Sequence, residues 1–235
     1  MVYITGDTHR NFDAIEEFCE DNETTKDDII IILGDVGINY LGEREDFLLK
    51  CWLVNLPITL FCIHGNHEIR PFNISSYELV ERYGGMVYME EDFPNLLFAK
   101  DSEIYEFDGK RCIVIGGAFS FNRDQLIPGI DWWDDEQPDE IIKAEVEERL
   151  EAEGWNVDIV LSHTGPAKYI PKELVEKRAS GMIVDRSTED WLDKIEDKLT
   201  YSEWYCGHWH IEEYFQKMRF MNVSDMGTIM ELGEW

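Results

Sequence analysis

An α/β fold built on a parallel sheet is written into the first third of this 235-residue chain. Short, wholly apolar runs alternate with amphipathic stretches, in the order β-α-β-α-β that calls for parallel strands and right-handed crossovers. Each apolar run also ends directly in a polar, glycine-containing motif, and the carboxyl ends of the strands are where open α/β sheets place their ligands.

Taken in chain order, Val2–Thr5 reads as a short strand. A helix capped by Asn11 follows through Cys19, with Phe12, Ile15 and Phe18 on one face. Asp28–Leu33 is a continuous apolar run of the kind covered on both faces. Glu43–Leu56 reads as a helix whose apolar side is Phe47, Leu48, Cys51 and Trp52. Ile58–Ile63 is a third buried strand, and a helix is expected near Ser75–Tyr83. Beyond residue 100 the pattern changes. Glu103–Phe107 and Arg111–Ile115 flank Asp108-Gly109, a hairpin signal. Gly116–Pro138 is a long loop rich in Trp and Asp. From Pro138 an acidic helix runs to about Glu153 on an apolar stripe of Ile141, Ile142, Val146 and Leu150, with its acidic face solvated. Val157–Leu161 is a strand, Glu189–Leu199 a helix, Trp204–Cys206 a strand, and the tail from Ile211 reads as antiparallel strands. With no repeat, low-complexity stretch or linker, residues 1–235 are expected to form a single domain.

Composition narrows the function classes. Fifty acidic against 21 basic side chains give a formal charge of −29. Such a surface repels nucleic-acid backbone and anionic lipid at long range, so a small phosphorylated molecule or short nucleotide suits it better than long nucleic acid. The competing reading is that net charge reports solubility alone. Five cysteines without C-x-x-C spacing point to core thiols and a reducing compartment. The N-terminal residues lack the pattern of a signal peptide, and no window reaches the ~20 apolar residues that span a bilayer, so a cytoplasmic protein without membrane partners is expected.

Five motifs carry the chemistry: Gly6-Asp7-Thr8-His9, Gly34-Asp35, Gly65-Asn66-His67-Glu68, Ser162-His163 and Gly207-His208-Trp209-His210. Glycines ahead of the ligands let backbone approach an ion with no Cβ in the way. Carboxylate, carboxamide and imidazole form a hard-to-borderline donor set that suits Mn, Fe, Zn, Ni or Mg. Asp7 and His9, like His208 and His210, are two residues apart, so on extended backbone each pair projects to one side. Five of the six histidines fall on these motifs, leaving His64 as a strand-end residue packed nearby. Two ions can clamp a phosphoryl group and make hydroxide near neutral pH. An imidazole next to a presumed ligand, His67, suits the proton donor to the leaving oxygen.

This ordered set resembles the calcineurin-like metallophosphoesterase superfamily, whose signature runs G-D-x-H, G-D, G-N-H-[DE], H and G-H-x-H. The resemblance spans Asp7 to His210. It implies a four-layer α-β-β-α sandwich, two mixed β-sheets flanked by helices, with a dinuclear metal site at the strand C-terminal ends. It implies two divalent metal ions, Mn foremost. Asp7, His9, Asp35 and His210 would hold the first; Asp35, bridging, with Asn66, His163 and His208 would hold the second. His67 would be the general acid and a metal-bridging hydroxide the nucleophile, in hydrolysis of phosphomonoesters or phosphodiesters. The alternatives are a non-catalytic scaffold that keeps the fold and, more weakly, a single-zinc hydrolase on another fold.

The sequence departs from the protein Ser/Thr phosphatases of that superfamily. Their second motif extends to G-D-x-x-D-R-G, whereas here it reads Gly34-Asp35-Val36-Gly37-Ile38-Asn39, and Arg10 replaces the Gly after the first His. Both differences disfavour a phosphoprotein substrate. Phosphate-gripping charge must then come from elsewhere: Arg10 and Arg70 flank metal motifs, and Arg123 follows the hairpin strand. Arg123 lies in a Gly-Gly-Ala-x-Ser segment that resembles an insert in some bacterial and phage members of unassigned substrate. Trp132-Trp133 either stacks on a substrate base or buries the long loop.

Overall fold

The computed structural model describes residues 1–179, 184–222 and 229–233. In chain order it contains β1 (Val2–Thr5), α1 (Asp13–Asp21), β2 (Ile29–Ile32), α2 (Glu43–Leu53), β3 (Thr59–Cys62), β4 (Glu78–Arg82), β5 (Gly85–Met89), β6 (Leu96–Ala99), β7 (Ile104–Phe107) and β8 (Lys110–Ile115). These are followed by α3 (Glu140–Ala152), β9 (Ile159–Ser162), α4 (Lys172–Ala179), α5 (Ser187–Glu196), β10 (Glu203–Cys206), β11 (Glu213–Phe215), β12 (Met218–Phe220) and β13 (Met230–Glu231).

Two mixed sheets result. One runs β13-β1-β2-β3-β6-β5-β4 and the other β11-β12-β10-β9-β8-β7. The centre of the first, β1-β2-β3-β6, is parallel, as is β8-β9-β10-β12 in the second; the flanking pairs are antiparallel. Because side chains alternate along a strand, the four isoleucines of β2 divide between two cores. Ile29 and Ile31 join the layer between the sheets, with Phe61, Phe107, Val114 and Leu161. Ile30 and Ile32 pack outward with Ile15 and Cys19 of α1 and Leu53 of α2. On the far side of the second sheet, Val146 and Leu150 of α3 and Trp191, Leu192 and Ile195 of α5 form the third cluster. The arrangement is therefore the α-β-β-α sandwich of two mixed sheets that the motifs implied.

Three local expectations are corrected. The segment expected as a helix near Ser75–Tyr83 contains β4, paired antiparallel with β5 from Glu78↔Met89 to Arg82↔Gly85. Tyr83 and Gly84 both take positive φ, 52° and 83°, the geometry of a tight two-residue hairpin turn. Helix α2 is rotated from the expected face. Phe47, Leu48 and Trp52 are exposed, while Asp46, Lys50 and Leu53 are buried. The charged pair is tolerated because each charge has a partner: Asp46 accepts from Arg10 Nη1 (2.5 Å) and Lys50 donates to Glu90 (2.6 Å) over the Tyr77 ring. On α3, Ile141 lies outside the buried stripe, at 69% exposure. At α1, Asn11 Oδ1 accepts from the Asp13 amide (3.0 Å), one residue outside the formal cap Phe12. All five cysteines are free thiols, four of them buried. Among the described residues no helix is long and apolar enough to cross a membrane.

Candidate metal centre

Every motif residue lies at the carboxyl end of a parallel strand. Asp7 and His9 follow β1, Asp35 follows β2, and Asn66 and His67 follow β3; His163 follows β9, and His208 and His210 follow β10. Two groups of donor atoms gather there. Asp7, His9 and His210 form one, and Asp35, His163 and His208 the other; within each, the donor atoms lie within 4.8 Å of one another. Asp35 stands between them, with Oδ2 3.8 Å from His9 Nε2 and Oδ1 3.5 Å from His163 Nε2. Asn66 joins the second group, its Oδ1 2.9 Å from His163 Nε2.

The backbone gives up its preferred conformations to do this. His9, Asp35, His208 and His210 all have φ between 45° and 64°, a region that side-chain-bearing residues rarely occupy. Glycine is required where neighbouring strands must touch. A Cβ on Gly65 would fall 2.1 Å from Asp35 Oδ1, and one on Gly207 2.0 Å from Asp7 Oδ1. The freed amides then bind the carboxylates. Asp35 Oδ1 accepts from the amides of Asn66 (2.8 Å) and His67 (2.9 Å), and Asp7 accepts from the amide of His208 (2.9 Å). Glu68, fully interior, accepts from the amides of Gly65 (2.8 Å) and Gly37 (3.0 Å), so it ties the second and third motifs together. Burial and the nearby Asp35 push its pKa well up.

Charge in the site follows the same logic. Burial raises the Asp35 pKa, but His163, His67, His9 and His208 outweigh it, and the carboxyl titrates below its usual range. The His9 pKa is also shifted downward, by burial together with His210 and His67, against the pull of Asp35 and Asp7. A carboxylate and a neutral imidazole are the forms that bind cations.

A cation fits the second group on local hydrogen bonding alone. His163 Nδ1 meets the Leu33 carbonyl at 2.7 Å, and since a carbonyl only accepts, Nδ1 carries the proton. That leaves Nε2 as the ring nitrogen facing Asn66 Oδ1, at 2.9 Å, and the one available to a cation. The Asn66 amide nitrogen is engaged elsewhere, donating to Ser120 Oγ at 2.9 Å. An imidazole nitrogen, an amide oxygen and a carboxylate thus face one another in a buried space, a donor set that fits a divalent ion.

His67 projects beside these groups into a cavity of about 180 Å³ lined by His9, Arg10, Gly37, Tyr40 and His67. Its ring lies 6.0 Å from Tyr40, edge to face, and Tyr40 in turn lies 6.0 Å from Trp133. Arg10 Nη1 donates to the Gly37 carbonyl (2.7 Å) and to Asp46, and Nη2 to the Glu45 carbonyl (3.2 Å). Arg123 stacks on Trp132, its Cζ 3.7 Å from the ring, with Asp134 at 4.0 Å and Glu136 at 3.9 Å. His64 is buried, with its pKa pushed down by burial and Arg70. Tyr40, beside His67, and Ser120, which accepts from Asn66, also belong to the site, although neither was among the expected site residues. Tyr40 directly follows Asn39 of the extended second motif, and Ser120 lies in the Gly-Gly-Ala-x-Ser segment, so position gave a signal for both.

Comparison with known proteins agrees with this architecture. Among solved structures, TT1561 of Thermus thermophilus superposes with a TM-score of 0.53 at 13% identity, over 98% of this chain and 93% of that one. A second solved structure gives a TM-score of 0.50 at 11% identity, over 94% and 89% of the two chains. At such identities the likeness concerns the fold alone. None of the curated proteins matches the chain. The family model described as calcineurin-like phosphoesterase matches residues 1–212, a span that takes in all five motifs. Family membership implies divalent metal ions and, in general, phosphoester hydrolysis. The chain belongs to the calcineurin-like phosphoesterase family.

Proposed function

We propose that this protein is a dinuclear metal-dependent phosphoesterase that hydrolyses phosphomonoesters or phosphodiesters of small molecules or nucleotides. The observation that supports this most is the position of Asp35, one oxygen toward each donor group. Asp7, His9, Asp35 and His210 would hold one ion, and Asp35, Asn66, His163 and His208 the other. Bound there, two divalent ions supply Lewis acidity that activates a water near neutral pH and offsets charge on the phosphoryl oxygens. Among the ions suited to this donor set, Mn is our first choice.

The rest falls to the chain. His67 lines the cavity next to the donor groups and protonates the leaving oxygen. Arg10 lines the same cavity, and its bonds to Gly37, Glu45 and Asp46 present it to phosphate as a fixed charge. Arg123 is held less tightly and is the second candidate for a substrate contact. The size of the cavity and the charge of −29 both favour a small substrate. Free, mostly buried thiols fit a reducing compartment such as the cytoplasm.

The test is hydrolysis of p-nitrophenyl phosphate and bis-p-nitrophenyl phosphate with Mn, Ni, Zn or Mg. Turnover is expected, and inertness with every metal would favour a non-catalytic scaffold. In His67→Ala, an alkyl phosphate should be slowed by about 10²–10⁴-fold, while the activated aryl ester is slowed much less. An alkyl phosphate cleaved at the wild-type rate would remove His67 from the acid role.

A further inference from the structure

Of the side chains that line the cavity beside the donor groups, Tyr40 is the one without a task in the reaction described above. His9 belongs to the first donor group, His67 is the proton donor, and Arg10 is the charge that the Gly37 carbonyl helps to hold. Tyr40 shares that lining with a half-buried ring, so part of it faces the open space. Its ring meets that of His67 edge to face, with centroids 6.0 Å apart and planes at 88°.

Backbone and loop together fix the ring. Asn39, just before it, takes a φ of 66°, and its carbonyl accepts from the Ile69 amide at 3.0 Å. The Asn39 side chain is buried and donates to the Tyr77 hydroxyl at 3.0 Å. From the long loop, Trp133 meets the Tyr40 ring at 6.0 Å with planes at 69°. The two tryptophans of that loop therefore differ. Trp132 is buried and covered by Arg123, 3.7 Å from its ring, whereas Trp133 is half-buried beside Tyr40.

The place of the ring gives it a meaning. A proton donor must stand within hydrogen-bond reach of the leaving oxygen, so the group bonded to that oxygen lies on the His67 side of the phosphorus. Tyr40 is the cavity's phenol ring on that side. Among the described residues no carboxamide, carboxylate or aliphatic hydroxyl lines the cavity to read a leaving group by hydrogen bonds. A preset aromatic ring favours a flat partner instead, which it meets at small conformational cost.

We propose that Tyr40, backed by Trp133, is a specificity-determining residue that receives a flat ring carried by the leaving group. The substrate class is then phosphoesters of alcohols that bear an aromatic or heteroaromatic ring, in preference to those of aliphatic alcohols. The proposal rests on the phosphoesterase reading above.

The experiment compares kcat/KM of the Mn-loaded full chain on esters matched at the leaving oxygen. The pairs are benzyl against cyclohexylmethyl phosphate, and adenosine 5′-phosphate against ribose 5-phosphate, each also as its methyl diester. Where only p-nitrophenyl esters turn over, the same ratios are read from inhibition of that reaction by each pair. Wild type should favour the ring-bearing member of at least one pair by about 3–10-fold, the worth of one aromatic contact. Tyr40→Ala should bring that ratio to about 1, Trp133→Ala should lower it in part, and Tyr40→Phe should keep it. Metal content, measured in parallel, should stay at the wild-type value in all three. Equal treatment of both members of both pairs by wild type would overturn the proposal. So would a Tyr40→Ala protein that handles both members worse to the same extent, which is the mark of a structural role. Should that variant fail to fold, Tyr40→Leu decides, since it fills the space without a ring, and a ratio kept there overturns the proposal too. A wild-type chain inert on every ester, p-nitrophenyl esters included, overturns the phosphoesterase reading and this proposal with it; turnover without ring preference strikes the role of Tyr40 alone.

Discussion

The two donor groups share Asp35 but differ in their access to water. In the first, the His9 and His210 side chains are 39% and 40% exposed. In the second, His163 is fully buried, Asp35 is 2% exposed and Asn66 and His208 are buried as well. The outer group borders the cavity that holds His67, where substrate and water arrive. The inner group lies beneath it, roofed by the long loop through Ser120 and braced by the bond from His163 to the Leu33 carbonyl. Unequal burial implies a division of labour: the inner ion would be held as part of the structure, and the outer ion would exchange with solvent and meet the phosphate first.

Chelation puts that contrast under the greatest load. On treatment of the Mn-loaded protein with EDTA, metal release is expected in two phases, a fast loss of about one ion and a slow loss of the other. His9→Ala should abolish the fast phase and leave the slow ion. His163→Ala should abolish the slow phase and lower thermal stability, because it empties a buried site and strands the Leu33 carbonyl. A single phase, or the same loss in both variants, would dissolve the distinction between an inner and an outer ion.

A smaller effect sharpens the inner side. Thr164, next to His163, donates to Glu189 (3.0 Å) and accepts from Trp209 Nε1 (3.0 Å). Burial pushes the Glu189 pKa from 4.5 up to about 7, although Thr164 and Arg186 pull it down. An acid whose pKa is higher folded than unfolded stabilises the fold while it stays protonated. Its contribution is therefore complete below pH 4.5 and is lost as pH rises through about 7. Glu189→Gln should flatten that slope and gain up to about 3 kcal/mol over wild type at pH 8, read from denaturant melts at about pH 4 and at pH 8. A wild-type slope that persists in the variant would show that some other group sets it.

What can be read from the sequence depends on where the information lies. The strand-end ligands are legible because each sits within a few residues of an apolar run, with a glycine marking most of the turns. The parallel core of the first sheet is legible for the same reason, since runs such as Ile29–Ile32 are apolar on both faces. Helix α2 misleads because its buried face uses charges whose partners, Arg10 and Glu90, lie 36 and 40 residues away. Strand β4 reads as a helix because its sequence alternates weakly, and only pairing with β5 across Tyr83-Gly84 decides its state. The role of Ser120 stays hidden, although its segment stands out, because its bond to the Asn66 amide spans 54 residues.

Anomalous diffraction from crystals grown with Mn²⁺ would locate the ions themselves. Two peaks per chain are expected, about 3.5–4 Å apart, with Asp35 bridging, Asn66, His163 and His208 on the inner peak, and Asp7, His9 and His210 on the outer. One peak, or two that leave Asp35 bound to neither or to only one, would contradict the shared-carboxylate centre.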